Sequence, residues 1–325
     1  MPSLTGIRSH AAADFVLALL VNNTEVLEVV TAIVCTRNRP VPVARVVGSL
    51  LRDNSEPLEM IVVDQSDGGE TERALGIFRS DPRFRYYRSK MRGKGAALNE
   101  GIRMASGPIV VCTDDDCEAP PGWIGGMARA LRSQPTAVVA FCSVVPVPYD
   151  RKLGYVPAYE LKKNRLLRSV SAMCHGLGIG AGMALRRDFA LSMGGFDESF
   201  GPGARFPSAD EWDIAMRALL SGKHVYQTSE LSIVHDGFRT FEEGREHAKR
   251  DWTALGAVCA KPLRAGHVEA IVVPLWLFST RAIWPPIADL LRLRKPRGAG
   301  RIVAFLHGFG VGLRTQVDQA TLRFI

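Results

Sequence analysis

The chain has 325 residues, 46% of them hydrophobic, and its 41 Lys and Arg against 33 Asp and Glu give a formal net charge of +8. That length supplies a full core without a disulfide or metal staple, and the apolar fraction excludes a disordered chain. The basic balance favours an anionic partner, whether a phosphate-bearing ligand, nucleic acid or an anionic membrane surface; a soluble protein with surplus surface cations gives the same sum.

Residues 11–21 form a short apolar run after one Arg, but the following VNNTEVLE holds no small-residue cleavage pattern, so a short packed N-terminal helix is expected. Residues 29–34 are apolar and β-branched and read as a buried strand, ended by Thr36-Arg37-Asn38-Arg39-Pro40. Val43, Val46, Val47, Leu50 and Leu51 then recur at helical spacing. Residues 60–63 form a second strand, ended by Asp64 and a polar turn; residues 84–87 form a third. Ala97, Leu98, Ile102 and Ala105 mark a helix, and the fourth strand, 109–112, runs into Thr113-Asp114-Asp115-Asp116. Trp123, Met127, Ala130 and Leu131 give another helix, and 137–145 another strand. Strand and helix thus alternate, which argues a mostly parallel, doubly wound α/β sheet. Ligands bind such sheets at the carboxyl ends of the strands, where the polar residues gather here.

Beyond residue 145 the pattern loosens. Residues 209–220 read as a helix that Ser208 or Asp210 could cap, and 231–234 as a strand before His235-Asp236-Gly237. Phe241, Ala248, Trp252, Leu255 and Val258 fit one stripe of a later helix. No run of about eighteen apolar residues is free of charge. The nearest, 271–293, carries Arg281, Asp289 and Pro285-Pro286, contains Trp276, Phe278 and Trp284, and is followed by Arg292, Arg294, Lys295 and Arg297. A segment lying in a membrane interface, or a helical pair packed on the core, fits better than a clean span. The six cysteines lack zinc spacing and read as free thiols of a reducing compartment.

Asp114-Asp115-Asp116 carries the sharpest chemistry. Adjacent carboxylates repel, so a hard divalent cation would make the cluster tolerable; an acidic surface turn is the alternative. Asp64 could accept hydrogen bonds from a base or ribose, or only end its strand. Arg37, Arg39, Arg92 and Lys94 could neutralise phosphates. Gly93-Lys94-Gly95 lacks the P-loop spacing, and Gly176-Leu177-Gly178-Ile179-Gly180-Ala181 mimics a dinucleotide fingerprint without a preceding strand, so a close backbone approach to a ligand is the better use of its glycines. An acid of Asp210-Glu211 could project into the site as a general base.

In order, VVTAIVCTRNRP (29–40), IVVDQSD (61–67), GAALNEGIRMASG (95–107), TDDD (113–116), GAGMALRR (180–187), GGFDE (194–198) and SADEWDIAMR (208–217) resemble the family 2 glycosyltransferases, inverting enzymes of the A-type nucleotide-sugar-binding fold. The resemblance spans residues 29–238. It implies a glycosyltransferase domain over 29–240, with a nucleotide-binding half (29–116) and an acceptor half (117–240), an N-terminal extension (1–28) and a helical C-terminal region (241–325), for which membrane association is one expectation. It implies nucleotide-sugar contacts from Thr36, Arg37, Asn38, Arg39, Asp64, Lys94, Asp114 and Asp115, Mg2+ or Mn2+ at Asp116 with His235, and acceptor contacts from Trp212 and Arg205. The family's usual Glu-Asp pair reads Asp210-Glu211 here, so Glu211 is the first choice for the base and Asp210 the second. The implied reaction moves a sugar from a nucleoside-diphosphate sugar to the hydroxyl of a glycan or lipid-linked acceptor, in polysaccharide, glycan or glycolipid synthesis. No nucleic acid is implied, and the place is cytoplasmic, with peripheral contact to the anionic inner face of the plasma membrane. Two rivals are a sugar nucleotidyltransferase, for which residues 36–40 lack the glycine-rich loop, and a non-catalytic membrane-surface module, against which the acidic set argues.

Overall fold

In the computed structural model, β1 (Val30–Thr36), β2 (Leu58–Asp64), β3 (Phe84–Arg88) and β4 (Ile109–Asp114) pair in parallel in the order β3-β2-β1-β4. The structure describes residues 28–325 except Lys295 and Arg297, so the expected helix at 11–21 and two members of the basic run lie outside the described residues. The strand period of two divides the core into two layers. Ile33, Ile61, Val63, Val110 and Cys112 point into one apolar cluster, while Val30, Ala32, Val34, Met60 and Val62 point into the other. Helices α1 (Pro40–Leu51) and α4 (Trp123–Arg132) cover the second cluster, and α3 (Lys94–Met104) covers the first; the short α2 (Glu70–Leu75) lies against α1. Both faces are therefore covered, which is why these strands read as near-continuous apolar runs.

The remainder of the sheet departs from the parallel plan. β9 (Met183–Arg186) lies between β4 and β6 (Ala137–Pro146) and runs antiparallel to both. Its MALR stretch is four residues long and lacks β-branched side chains, so it gives no strand signal. Next to β6 comes β10 (His224–His235), parallel to it, and β5 (Cys117–Glu118) and β8 (Arg165–Leu167) pair antiparallel with β10. A separate ribbon joins β7 (Gly154–Tyr155) to β11 (Arg239–Thr240). Helix α5 (Arg187–Ser192) follows β9, and α6 (Asp210–Leu220) precedes β10.

The expected cap of α6 is absent. Ala209 stands at the N-cap with φ 67°, and among the described residues no side chain caps the helix. A left-handed alanine costs about 1–2 kcal/mol, strain that sits beside the acid pair.

The C-terminal region is part of the core rather than a loose appendage: Ala254, Ala257, Val258, Phe305 and Phe324 belong to the same apolar cluster as Ile33 and Phe141. Helix α7 (Phe241–Arg264) opens with a Thr240–Glu243 capping box. Of its expected stripe, Val258 is buried, but Phe241 is 51% exposed. The contact face is instead built from small residues. A Cβ on Gly308 of helix α9 (Gly300–Arg314) would lie 1.8 Å from the Thr253 carbonyl oxygen, and one on Gly256 2.2 Å from that of Phe305, so α7 and α9 meet backbone to backbone. Between them, Val268–Leu291 forms one continuous 24-residue helix, α8, not a pair, and its length and mean hydropathy of 1.3 are those of a membrane span. Residues Leu277–Ile283 of α8 are wound as a π-helix immediately before Pro285-Pro286. The missing proline N–H groups and the bulk of the rings disrupt the regular ladder there, and the wider turn accommodates them.

Candidate active site at the strand ends

Register decides which residues meet. Thr36 stands opposite Asp64, Cys35 opposite Asp114, and His235, at the end of β10, opposite both Cys117 and Pro146. The ends of β1, β4 and β10 therefore frame one cavity of about 360 Å³.

Its floor is the acidic turn. The Thr36 hydroxyl donates to Asp115 Oδ2 (2.6 Å), and Arg39 reaches Asp115 Oδ1 at 2.6 Å and Asp116 Oδ2 at 3.0 Å. Arg39 thus supplies part of the counter-charge that three adjacent carboxylates require. Burial pushes the Asp115 carboxyl up to about 6, against the pull of Arg39 and Thr36. Asp116 goes the other way: burial opposes its charge, but His235 and Arg39 hold it well below the usual carboxylate range.

Lys94, first residue of α3, joins the floor to the acid pair. Its ammonium donates to Asp114 and lies 3.9 Å from Asp210 Oδ2. Burial works against that charge, yet Asp114 and Asp210 outweigh it and raise the Lys94 pKa well above its ordinary value. Asp210 is buried, and among the described residues its Oδ2 has no hydrogen-bond partner. Glu211 is half-buried beside Lys94 and Gly180. Burial, and then the charge of Asp210, push its carboxyl above the ordinary range, toward the proton affinity a general base needs.

The donor set on the opposite wall fits a hard divalent cation. His235 Nδ1 faces the Pro157 carbonyl oxygen at 2.8 Å, so this nitrogen carries the proton, and Nε2 faces Asp116 Oδ1 at 3.2 Å. A lone pair and a carboxylate at that distance need a proton or a cation between them. Cys117 Sγ lies within 4.8 Å of both, but a hard cation prefers the carboxylate oxygen and the imidazole nitrogen to a thiol.

Not every expected site residue reaches this cavity. Thr36, Arg37, Arg39, Lys94, Asp114, Asp115, Asp116 and His235 line it. Asp64 does not: it is fully buried, accepting from the Ser66 backbone N–H and the Tyr86 hydroxyl, both at 2.8 Å. Its neighbour Gln65 lines the wall instead and donates to the Gly93 carbonyl. Asn38 has φ 57° and knits two loops together through Ser66 and Asp67. Arg92 is engaged by Asp67 and the Gln65 carbonyl. Trp212 packs against the core, and Arg205 is exposed over the Phe206 ring. Of the fingerprint glycines, Gly176 abuts Tyr159 and Gly178 abuts Phe141, whereas Gly180 alone faces Lys94 and Glu211. Arg239 completes the wall, with no carboxylate in ion-pair distance among the described residues. Its position just past a strand that ends at this edge was the available signal.

Residues 31–193 match the model of "Glycosyl transferase family 2". The chain belongs to that family. Relatives extend the match: glucosyl-dolichyl phosphate glucuronosyltransferase of Haloferax volcanii is 26% identical over 223 residues, 64% of this chain and 69% of that one. Two solved structures share the fold. Residues 1–349 of TarS from S. aureus superpose with a TM-score of 0.61 at 15% identity, covering 88% of this chain and 81% of that one. The mannosyltransferase PcManGT from Pyrobaculum calidifontis, solved with GDP-Man and Mn2+, gives 0.58 at 22% identity over 93% of this chain and 96% of that one. This glycosyltransferase therefore carries the A-type fold, a mixed α/β sheet followed by C-terminal helices.

Proposed function

We propose that this family 2 enzyme transfers a sugar, with inversion, from a nucleoside-diphosphate sugar to an acceptor hydroxyl on a glycan or a lipid-linked glycan. The observation that carries the reading is the convergence of Asp114, Asp115, Asp116, Lys94 and His235 around one strand-end cavity, with Glu211 next to Lys94 just behind its lining. In this reading Gln65 and the loop Thr36–Arg39 hold the nucleoside, with Asp64 positioning the loop from below. Arg37, Arg39 and Arg239 face the diphosphate. A divalent cation, Mg2+ or Mn2+, held by Asp116 and His235 would neutralise charge on the departing diphosphate. Glu211 takes the proton of the attacking hydroxyl, its raised pKa matching that role. Lys94 keeps the base and the acidic turn at a fixed separation. The glucuronosyltransferase relative, whose name specifies a glucosyl-dolichyl phosphate, and the apolar C-terminal helix both favour an acceptor presented at a membrane.

A panel of nucleotide sugars, assayed for slow donor hydrolysis and thermal shift with and without Mn2+, tests this. Hydrolysis of one donor that EDTA abolishes is the expected result. Neither hydrolysis nor shift with any donor would leave a non-catalytic membrane module.

A further inference from the structure

A second cavity, of about 1210 Å³, lies between the first half of α7, the start of α9 and the β7–β11 ribbon. Its walls are apolar, with Phe241, Ala248 and Val303 among them, and Arg245, Lys249 and Arg301 also line it. No residue lining it carries a carboxylate, among those described. Phe241, Arg245, Ala248 and Lys249 share one face of α7, since residues three, four and seven apart align on a helix.

An apolar trough edged by charge of a single sign suits an anionic amphiphile. A neutral hydrocarbon would make no use of the cations, and a free sugar phosphate none of the apolar walls. The trough also neighbours the donor cavity. Tyr155, on its wall, pairs in register with Arg239, which lines the donor cavity; adjacent strands lie about 5 Å apart. Gly244 lets this contact form, because a Cβ there would lie 2.5 Å from the Tyr155 ring. Val303 of the trough wall is 71% exposed, and exposed apolar side chains follow it in the same C-terminal helices: Leu306 on α9 at 53%, and Leu290 and Leu291 at the end of α8 at 56% and 74%. A chain can pass from a bilayer along this surface into the trough with its head toward Arg239.

We propose that this trough binds the apolar chain of a lipid phosphate and delivers its head group to the donor cavity. The assignment rests on the glycosyl transfer proposed above and names the acceptor class. The test uses the full-length protein and farnesyl phosphate as probe, with farnesol and inorganic phosphate as the chain-only and phosphate-only controls, read by tryptophan fluorescence. Farnesyl phosphate should bind at least about tenfold more tightly than either control. Ala248→Trp, which fills the trough, and Val303→Asp, at a position exposed enough to tolerate a charge, should each weaken it about tenfold or more. The double variant Arg245→Gln/Lys249→Gln should weaken farnesyl phosphate and leave farnesol unchanged. Nucleotide binding, titrated in the same samples, should not move. Equal binding of farnesol, equal binding of inorganic phosphate, or native affinity in Val303→Asp would overturn the proposal. Loss of nucleotide binding in the unaltered protein, with farnesyl phosphate still bound, would count against the donor reading alone.

Discussion

Lys261 Nζ lies 2.7 Å from Asp197 Oδ2, and each of these side chains is only 2% exposed. Lys261 also contacts Asp213, which pairs with Arg217 at 2.9 Å, so two cations and two anions are buried as a neutral set. The Phe324 backbone N–H donates to the same Asp197 oxygen, and the ammonium lies 4.9 Å from the centre of the Phe200 ring and 5.2 Å from that of Phe324. One cluster thereby joins α7, the C-terminal tail, the loop before α6, and α6 itself, which carries Glu211. Removing one partner strands a buried charge, which costs about 3–5 kcal/mol. Lys261→Met should lose stability of that order in urea unfolding, and Lys261→Arg should recover part of it. An unchanged midpoint in Lys261→Met would show that the cluster contributes nothing net.

The same cluster predicts acid sensitivity. Burial opposes the charge of Asp197, but Lys261 and the hydrogen bonds to it hold its carboxyl below the ordinary value. A depressed carboxylate contributes stability that is complete above its unfolded pKa, about 3.9, and is lost as pH falls through the lower folded value. Unfolding free energy should therefore decline below about pH 4, and more shallowly in Asp197→Asn. Parallel curves for the two proteins would contradict the assignment.

Glu211→Gln should bind donor normally and lose transfer by about a hundredfold or more. The acid limb of the kcat profile should lie above the ordinary carboxylate range, because the base is active only once deprotonated. Asp210→Asn removes a neighbouring negative charge, so the limb should move to lower pH. Near-native turnover in Glu211→Gln, or a limb that stays put in Asp210→Asn, would remove Glu211 from the role of base.

Asp116→Asn should abolish any gain in donor affinity that Mn2+ gives the unaltered enzyme, an effect of about tenfold or more. His235→Gln should weaken the metal response less, since one ligand remains charged. Calorimetric titration of nucleoside diphosphate with and without EDTA reads both. Affinity that EDTA leaves unchanged in the unaltered protein would place the cation elsewhere or nowhere.

Exposed Leu290 and Leu291 on α8 and Leu306 on α9 predict vesicle binding. The protein should float with vesicles, and Leu291→Asp/Leu306→Asp should sediment. Comparison of anionic with neutral vesicles reports the basic residues, Arg292 and Arg294 among them. Protein that remains at the bottom with both compositions would exclude membrane contact.

Much of this was legible in the chain because its cues are local. The β-branched run before Thr36 and the apolar run before Asp114-Asp115-Asp116 announce strands and put their polar ends at one edge, whatever the rest of the fold does. Seven ordered motifs then carried the family. That Gln65 and not Asp64 lines the cavity was not local: successive strand residues point to opposite faces, and only the pairing with β1 and β3 shows which face is cavity. β9 was silent because four unbranched residues become a strand only between β4 and β6. Trp212, conspicuous in sequence beside the acid pair, turned to the core.

The sequence by itself determined the α/β class, the acidic turn and the residues available for chemistry, since each depends on neighbours within a few positions. Tertiary structure decided which of them meet. Lys94 reaches Asp114 and Asp210 across 20 and 116 positions of chain, and Phe324 reaches Asp197 across 127. The physical reason is that strand register and helix packing, not spacing along the chain, fix distances between residues so far apart, and a charge can be buried only where such a distant partner arrives.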